Sequence, residues 1–178
     1  MYSQPYHQQP KRGFPWVPVL IALGAVAIVG MLCLGGFIWY VMQEPEGIHV
    51  EVVCDNRVAI GDTLPVEVYV KNVSTSSQKI ESIDIENALL AGLSVIRAEP
   101  PWKVIEPVPF IGRSYVYKHG LSPNEETTFV FYLKGEKPGR YVGIVDVYVG
   151  IGLQSVAYEL DITVMTAEEA ANLKPPQE

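Results

Sequence analysis

The side chains that most often carry chemistry are sparse in this 178-residue chain. It holds three histidines, His7, His49 and His119, and two cysteines, Cys33 and Cys54. No His-x-x-x-His, Cys-x-x-Cys, Gly-x-Ser-x-Gly or glycine-rich phosphate loop occurs. His49 and Glu51 would share one face of a strand, which reads as a solvated edge pair. Carboxylates at Asp84 and Glu86, or at Glu125 and Glu126, could touch Ca²⁺, but a calcium site normally gathers six or more oxygens and the spacing does not supply them. The residues therefore suggest no enzyme, no metal and no cofactor.

The aromatic residues are more informative. Trp102, Phe110, Tyr115 and Tyr117 lie in or near a proline-rich connection running from Pro100 to Pro109, and Tyr69, Tyr132 and Tyr148 fall on the polar register of their strands. Exposed rings stack on sugars or anchor a protein partner. The first four are the candidate partner-binding residues. The competing reading is structural: tyrosine is an ordinary strand former, and Trp102 could plug the edge of a core.

Charge narrows the partners. All twenty acidic residues lie after Met42, with eleven of the thirteen basic ones, leaving −9 on the segment from Glu44 onward. Such a surface repels phosphate backbones, so nucleic acid is not an expected partner.

The elements that would position these residues divide at about residue 43. From Gly13 to Gln43 no residue is charged, and from Val17 to Met42 nearly every side chain is apolar. Twenty-six helical residues reach about 39 Å, enough for a hydrocarbon core of about 30 Å with some tilt. Pro15 and Pro18 fall where a helix can begin, and Trp16, Trp39 and Tyr40 match interfacial belts. Lys11 and Arg12 flank the N-terminal side only, so the positive-inside rule puts the N-terminus in the cytoplasm and the rest of the chain outside. The apolar run is too long for a signal-peptide core of about 7 to 15 residues, and Met31-Leu32 before Cys33 does not suit lipid attachment. Lipid is thus the expected partner of the helix.

Residues 1–13 form a polar arm without apolar periodicity, expected to be disordered. Thr166 and Glu169 have capping-box spacing, so residues 166–178 read as a short helix and tail that Pro175 and Pro176 stop. Cys54 reads as a small buried hydrophobe or an intermolecular thiol, and Asn72-Val73-Ser74 is a glycosylation sequon.

Between Gly47 and Met165 the apolar period becomes two. Val66, Val68 and Val70 alternate with Glu67, Tyr69 and Lys71; Phe129, Phe131 and Leu133 alternate with Thr128, Val130 and Tyr132; Val156 to Val164 repeats the pattern. Half-buried strands give this alternation. Further strands are expected at Ile48 to Val53, Ile80 to Ile85, Leu93 to Ala98, Arg113 to Lys118 and Arg140 to Gly150, about eight in all. Gly61-Asp62, Ser122-Pro123-Asn124-Glu125 and Pro138-Gly139 mark turns between them. Residues 47–165 are expected to form an immunoglobulin-like antiparallel β-sandwich, preceded by one transmembrane α-helix at residues 14–43. A barrel is the rival fold.

The order Gly61-Asp62, the strand Pro65 to Val70 ending in Lys71-Asn72, the turn Ser122 to Glu125 leading into Thr127 to Leu133, then Pro138-Gly139-Arg140-Tyr141 and a final strand resembles the bacterial CARDB-type sandwiches, cell-adhesion-related domains. The resemblance spans residues 48 to 165 and departs at Asn124, where glycine is commoner, and in the proline-rich stretch. It implies a cell-surface module that contacts proteins or glycans, and it transfers no functional residue. The sequence thus reads as a non-enzymatic, membrane-tethered interaction module with a protein partner at the membrane surface. A glycan-binding module is the alternative.

Overall fold

The computed structural model describes residues 16–41, 43, 45–151 and 153–173. The N-terminal arm and the tail carrying Pro175 and Pro176 lie outside these. The chain divides into two units after Met42.

The first unit is helix α1, Trp16–Val41, with no charged side chain and none buried. It is long and apolar enough to cross a membrane. Pro18 sits in its first turn, where a missing N–H leaves no hydrogen bond unmade.

The second unit contains ten strands in two sheets. They are β1 Ile48–Cys54, β2 Arg57–Ala59, β3 Thr63–Asn72, β4 Gln78–Glu86, β5 Leu93–Glu99, β6 Val104–Val108, β7 Gly112–Leu121, β8 Glu126–Gly135, β9 Gly139–Val149 and β10 Gln154–Met165. A four-residue helix, α2 Asn87–Leu90, follows β4, and α3 Ala167–Leu173 follows β10. One sheet has the order β1-β3-β8-β5 and the other β2-β10-β9-β4-β7-β6. The fold is an immunoglobulin-like β-sandwich. All pairs in the sheets are antiparallel except β2 with β10, where the short β2 runs beside Thr163 to Met165 in parallel.

Period-two alternation makes the core. Val66, Val68 and Val70 of β3, with Phe129, Phe131 and Leu133 of β8, face Ile83 and Ile85 of β4 and Val145 and Val147 of β9, all buried. Each such side chain contributes about 1.5–3 kcal/mol by leaving water. Tyr158 on β10 donates its hydroxyl to the Val50 carbonyl on β1 at 3.0 Å, a polar strut between the sheets.

The six-stranded sheet ends in blunted edges. β2 is three residues long, and β6 carries Pro107, which has no N–H to offer an incoming strand. On β5 the register slips between Val95 and Arg97, leaving Ile96 exposed.

The loops joining β3 to β4, β7 to β8 and β9 to β10 gather at the end where β1 begins. The Asn72 side chain lies at their centre with no exposure at all. Its amide donates to the carbonyls of Ser76 (2.8 Å), Leu121 (3.1 Å) and Ser122 (3.1 Å), and its Oδ1 accepts from the Ser74 amide and hydroxyl. The sequon is therefore a structural element: a glycan on Nδ2 would displace the three hydrogen bonds that this amide donates. Gly47, at φ +80°, lies so close to this loop that a Cβ would stand 2.5 Å from that of Ser74. Asn124, at φ +62°, completes the Ser122 to Glu125 turn, closed by Glu125 N–H donating to Ser122 O at 3.0 Å.

Thr166 precedes α3 and forms a reciprocal cap. Its N–H and hydroxyl donate to Glu169 Oε2 at 2.8 and 3.0 Å, while the Glu169 N–H donates to Thr166 Oγ1 at 3.3 Å.

Candidate partner-binding site

The proline-rich connection is not irregular throughout. Residues 104–108 form β6, paired with β7 from Val104↔Val116 to Val108↔Gly112. The strand overhangs the sandwich, so its side chains are exposed or half-buried on both faces, Val104 and Ile105 among them. This erases the alternation by which strands are read.

β6 turns into β7 through Pro109, Phe110 and Ile111. The Ile111 N–H donates to Val108 O at 3.1 Å, and the Asn87 N–H donates to Ile111 O at 2.8 Å, fixing the turn to the start of α2. At its tip Phe110 has φ +66° and a fully exposed ring, beside the half-exposed Ile111. A bulky residue in the left-handed region is strained, and an aromatic ring held entirely in water gains nothing from the fold.

The other aromatic candidates are placed differently. Tyr115 and Tyr117, expected near an exposed platform, are 1% and 3% exposed and point into the core. This corrects the sequence reading. The stretch Ser114 to Lys118 has apolar residues in both registers, and packing against Phe129 and Phe131 selected the tyrosines for the inside. Tyr115 meets Phe131 edge-on at 5.3 Å and Tyr117 lies 4.5 Å from Phe129. Trp102, half-buried, closes this ladder at 5.1 Å from Tyr115, so it plugs the edge of the core. The Tyr117 hydroxyl has no hydrogen-bond partner among the described residues, and burial pushes its pKa well above the ordinary phenol value.

A second surface lies on the outer face of the four-stranded sheet. Cross-strand neighbours Glu51↔Tyr69↔Thr128 and His49↔Lys71↔Glu126 line a groove of about 600 Å³. Tyr69 donates its hydroxyl to Glu67, which raises its pKa, and Lys71 pairs with Glu126 at 3.3 Å.

The outer face of the six-stranded sheet is acidic. Asp146, Asp84, Ser114 and Glu106 stand in one row across β9, β4, β7 and β6. The Ser82 hydroxyl donates to Asp84 at 2.9 Å. Burial raises the pKa of Asp84 despite hydrogen bonds from Ser114 and Ser82. It raises that of Asp146 too, helped by the charges of Asp84 and Glu86. Glu86, named with Asp84 as a calcium candidate, instead accepts from the Ile144 N–H at 2.9 Å. Among the described residues no group of three histidine, cysteine or acidic side chains is arranged to hold a metal. The sequence reading missed the Asp84 and Asp146 pairing, because strand order decides which polar faces meet.

No protein-family profile matches the chain, and a search of curated proteins found no similar sequence. Solved structures are similar to it. One is the CARDB domain of a Pyrococcus furiosus protein, solved with di-metal ions, at 16% identity and a TM-score of 0.40, covering 69% of this chain and 93% of that one. Another is the cupredoxin domain of amoB from Nitrosocaldus yellowstonii, at 11% identity and a TM-score of 0.46, covering 77% and 100%. A third is the sporulation control protein Spo0M of Bacillus subtilis, at 16% and 0.46, covering 72% and 56%.

Proposed function

We propose that this chain is a membrane-tethered, non-enzymatic interaction module. α1 anchors it, the N-terminal arm lies in the cytoplasm, and the sandwich stands on the outer side, where it contacts a protein partner in or next to the same membrane. Only residues 42–47 separate α1 from β1, at most about 25 Å of chain. So short a tether confines the domain to the membrane surface and raises its effective concentration toward neighbours there.

The observation that carries the reading is Phe110: a strained, fully exposed aromatic at a turn tip, beside the half-exposed Ile111. A partner that buried this ring would gain the large apolar contact that the fold leaves unused. The test is a photoreactive amino acid at position 110 of the full chain in native membranes, with position 128 as the control. A discrete adduct from 110, absent from 128 and lost in Ile111→Asp, supports the reading. Adducts equally strong from both positions contradict it.

The alternative is glycan binding, and the groove around Tyr69 favours it over any site at Trp102. There a ring stands among His49, Glu51, Lys71 and Thr128, a mixture of stacking surface and hydrogen-bonding groups that suits a sugar. Glycan binding lost in Tyr69→Ala and kept in Phe110→Ala would select this reading over the first.

A further inference from the structure

The loops at the end of the sandwich where β1 begins present apolar side chains to water. Ile151, in the β9–β10 turn, is 79% exposed, Val73, in the β3–β4 loop, is 55% exposed, and Leu153 is 38% exposed. Main-chain bonds hold these loops at that end: Val73 N–H donates to Gly47 O and Gly150 N–H to Lys79 O, both at 2.8 Å. The buried Asn72 side chain fixes the same region. The apolar tips are thus displayed on a stitched framework.

Three lysines nearby are paired within the domain. Lys71 pairs with Glu126, Lys79 and Lys118 with Glu81, and the Glu125 carboxylate accepts from the Ser122 N–H at 2.7 Å. With these lysines occupied and −9 on the segment from Glu44 onward, this end offers little to anionic headgroups and suits a zwitterionic layer. It is also the end from which the tether leaves, since Gly47 precedes the first residue of β1. Six linker residues keep it within about 25 Å of the last helical residue, and the headgroup region on each side of the hydrocarbon core is about 5 to 7 Å deep.

We propose that Val73, Ile151 and Leu153 form a lipid-contacting rim, seated at the headgroup–acyl boundary of the bilayer that α1 crosses. The occupant is a zwitterionic lipid surface, matched by three apolar tips and by lysines already paired with carboxylates of the domain. The rim would orient the sandwich with the Phe110 turn, built from the opposite strand ends, directed away from the bilayer. The inference rests on the reading of α1 as a membrane anchor.

The test uses the full chain in phosphatidylcholine nanodiscs, with single spin labels in a Cys33→Ala, Cys54→Ala background. Labels at Ile151→Cys, Leu153→Cys and Val73→Cys report the rim, Val29→Cys the helix, and Phe110→Cys the far turn. An unchanged thermal transition qualifies each variant, and three rim positions guard against one that misfolds. The expected result is deep burial at 29, oxygen-favoured collision at two or more rim positions with a depth near the headgroups, and nickel-chelate-favoured collision at 110. A deep label at 29 with all rim labels as aqueous as 110 overturns the rim and leaves the anchor standing. An aqueous label at 29 overturns both.

Discussion

The amide of Asn72, the last residue of β3, donates to the carbonyl of Leu121, the last residue of β7 in the opposite sheet, at 3.1 Å. This bond belongs to a set of five around one fully buried side chain, and it closes one end of the sandwich. Asn72→Ala strands the carbonyls of Ser76, Leu121 and Ser122, so it should lower the unfolding free energy of the full chain's outer domain by about 3 kcal/mol. Ser74→Ala, which removes one contact to Oδ1, should cost about 1 kcal/mol. Urea midpoints at constant m-value measure both. The same burial predicts that Asn72 receives no glycan once folded, even in a secretory pathway that reads the sequon, and mass spectrometry of the secreted product checks this.

Tyr117 makes the opposite prediction. Its hydroxyl is buried without a partner among the described residues, so Tyr117→Phe should raise stability by about 1 kcal/mol while keeping the ring contacts to Phe129 and Phe131. A loss of stability would reveal a hydrogen bond to that hydroxyl.

Asp84 and Asp146 face each other across β4 and β9, and burial holds both carboxyls above their ordinary pKa. A carboxyl whose folded pKa is raised favours folding most below its unfolded pKa of about 3.9, and that contribution is lost as pH rises through the folded value. The pair should therefore weaken the fold at neutral pH relative to mildly acidic pH. Asp146→Asn should raise the melting temperature at pH 7 and have little effect at pH 4, which thermal scans across that range would show.

Phe110 separates strain from contact. Phe110→Gly should stabilise the isolated fold by about 0.5–1 kcal/mol, because glycine adopts φ +66° without steric cost. Phe110→Asp should leave stability within about 0.5 kcal/mol and still abolish the adduct formed when the photoreactive amino acid is moved to the neighbouring position 111. Calorimetry reads the first effect and crosslinking the second.

These predictions also mark what could be read before the structure. Strands such as β3 and β8 were legible because each has one wetter and one dry face: Val66, Val68 and Val70 lie inside just as their spacing demands, while β4 and β7, buried on both faces over four residues, showed only as short apolar runs between turn signals. β2 and β6 were not. The first is too short for any period to register, and the second is an overhanging edge with neither face dry. Tyr115 and Tyr117 were misplaced because Val116, one residue away, is as apolar as they are, and only the facing Phe129 and Phe131 settle which register turns inward. Phe110 was chosen from its type and its proline-rich setting, yet its positive φ and the free ring are facts of the turn. The acidic row through Asp84 and Asp146 needs the order β9-β4-β7, which no local pattern encodes.

The central claim is that α1 holds the sandwich on the outer side of a membrane. Its most direct test is labelling by a membrane-impermeant maleimide of single cysteines at position 110 and at position 3 of the full chain, in a background without Cys33 and Cys54, in intact cells and after lysis. The account predicts that the cysteine at 110 reacts in intact cells and the one at 3 only after lysis, with the chain remaining in the membrane fraction through an alkaline carbonate wash. Reaction of position 3 alone in intact cells, or release of the chain by the wash, would contradict it.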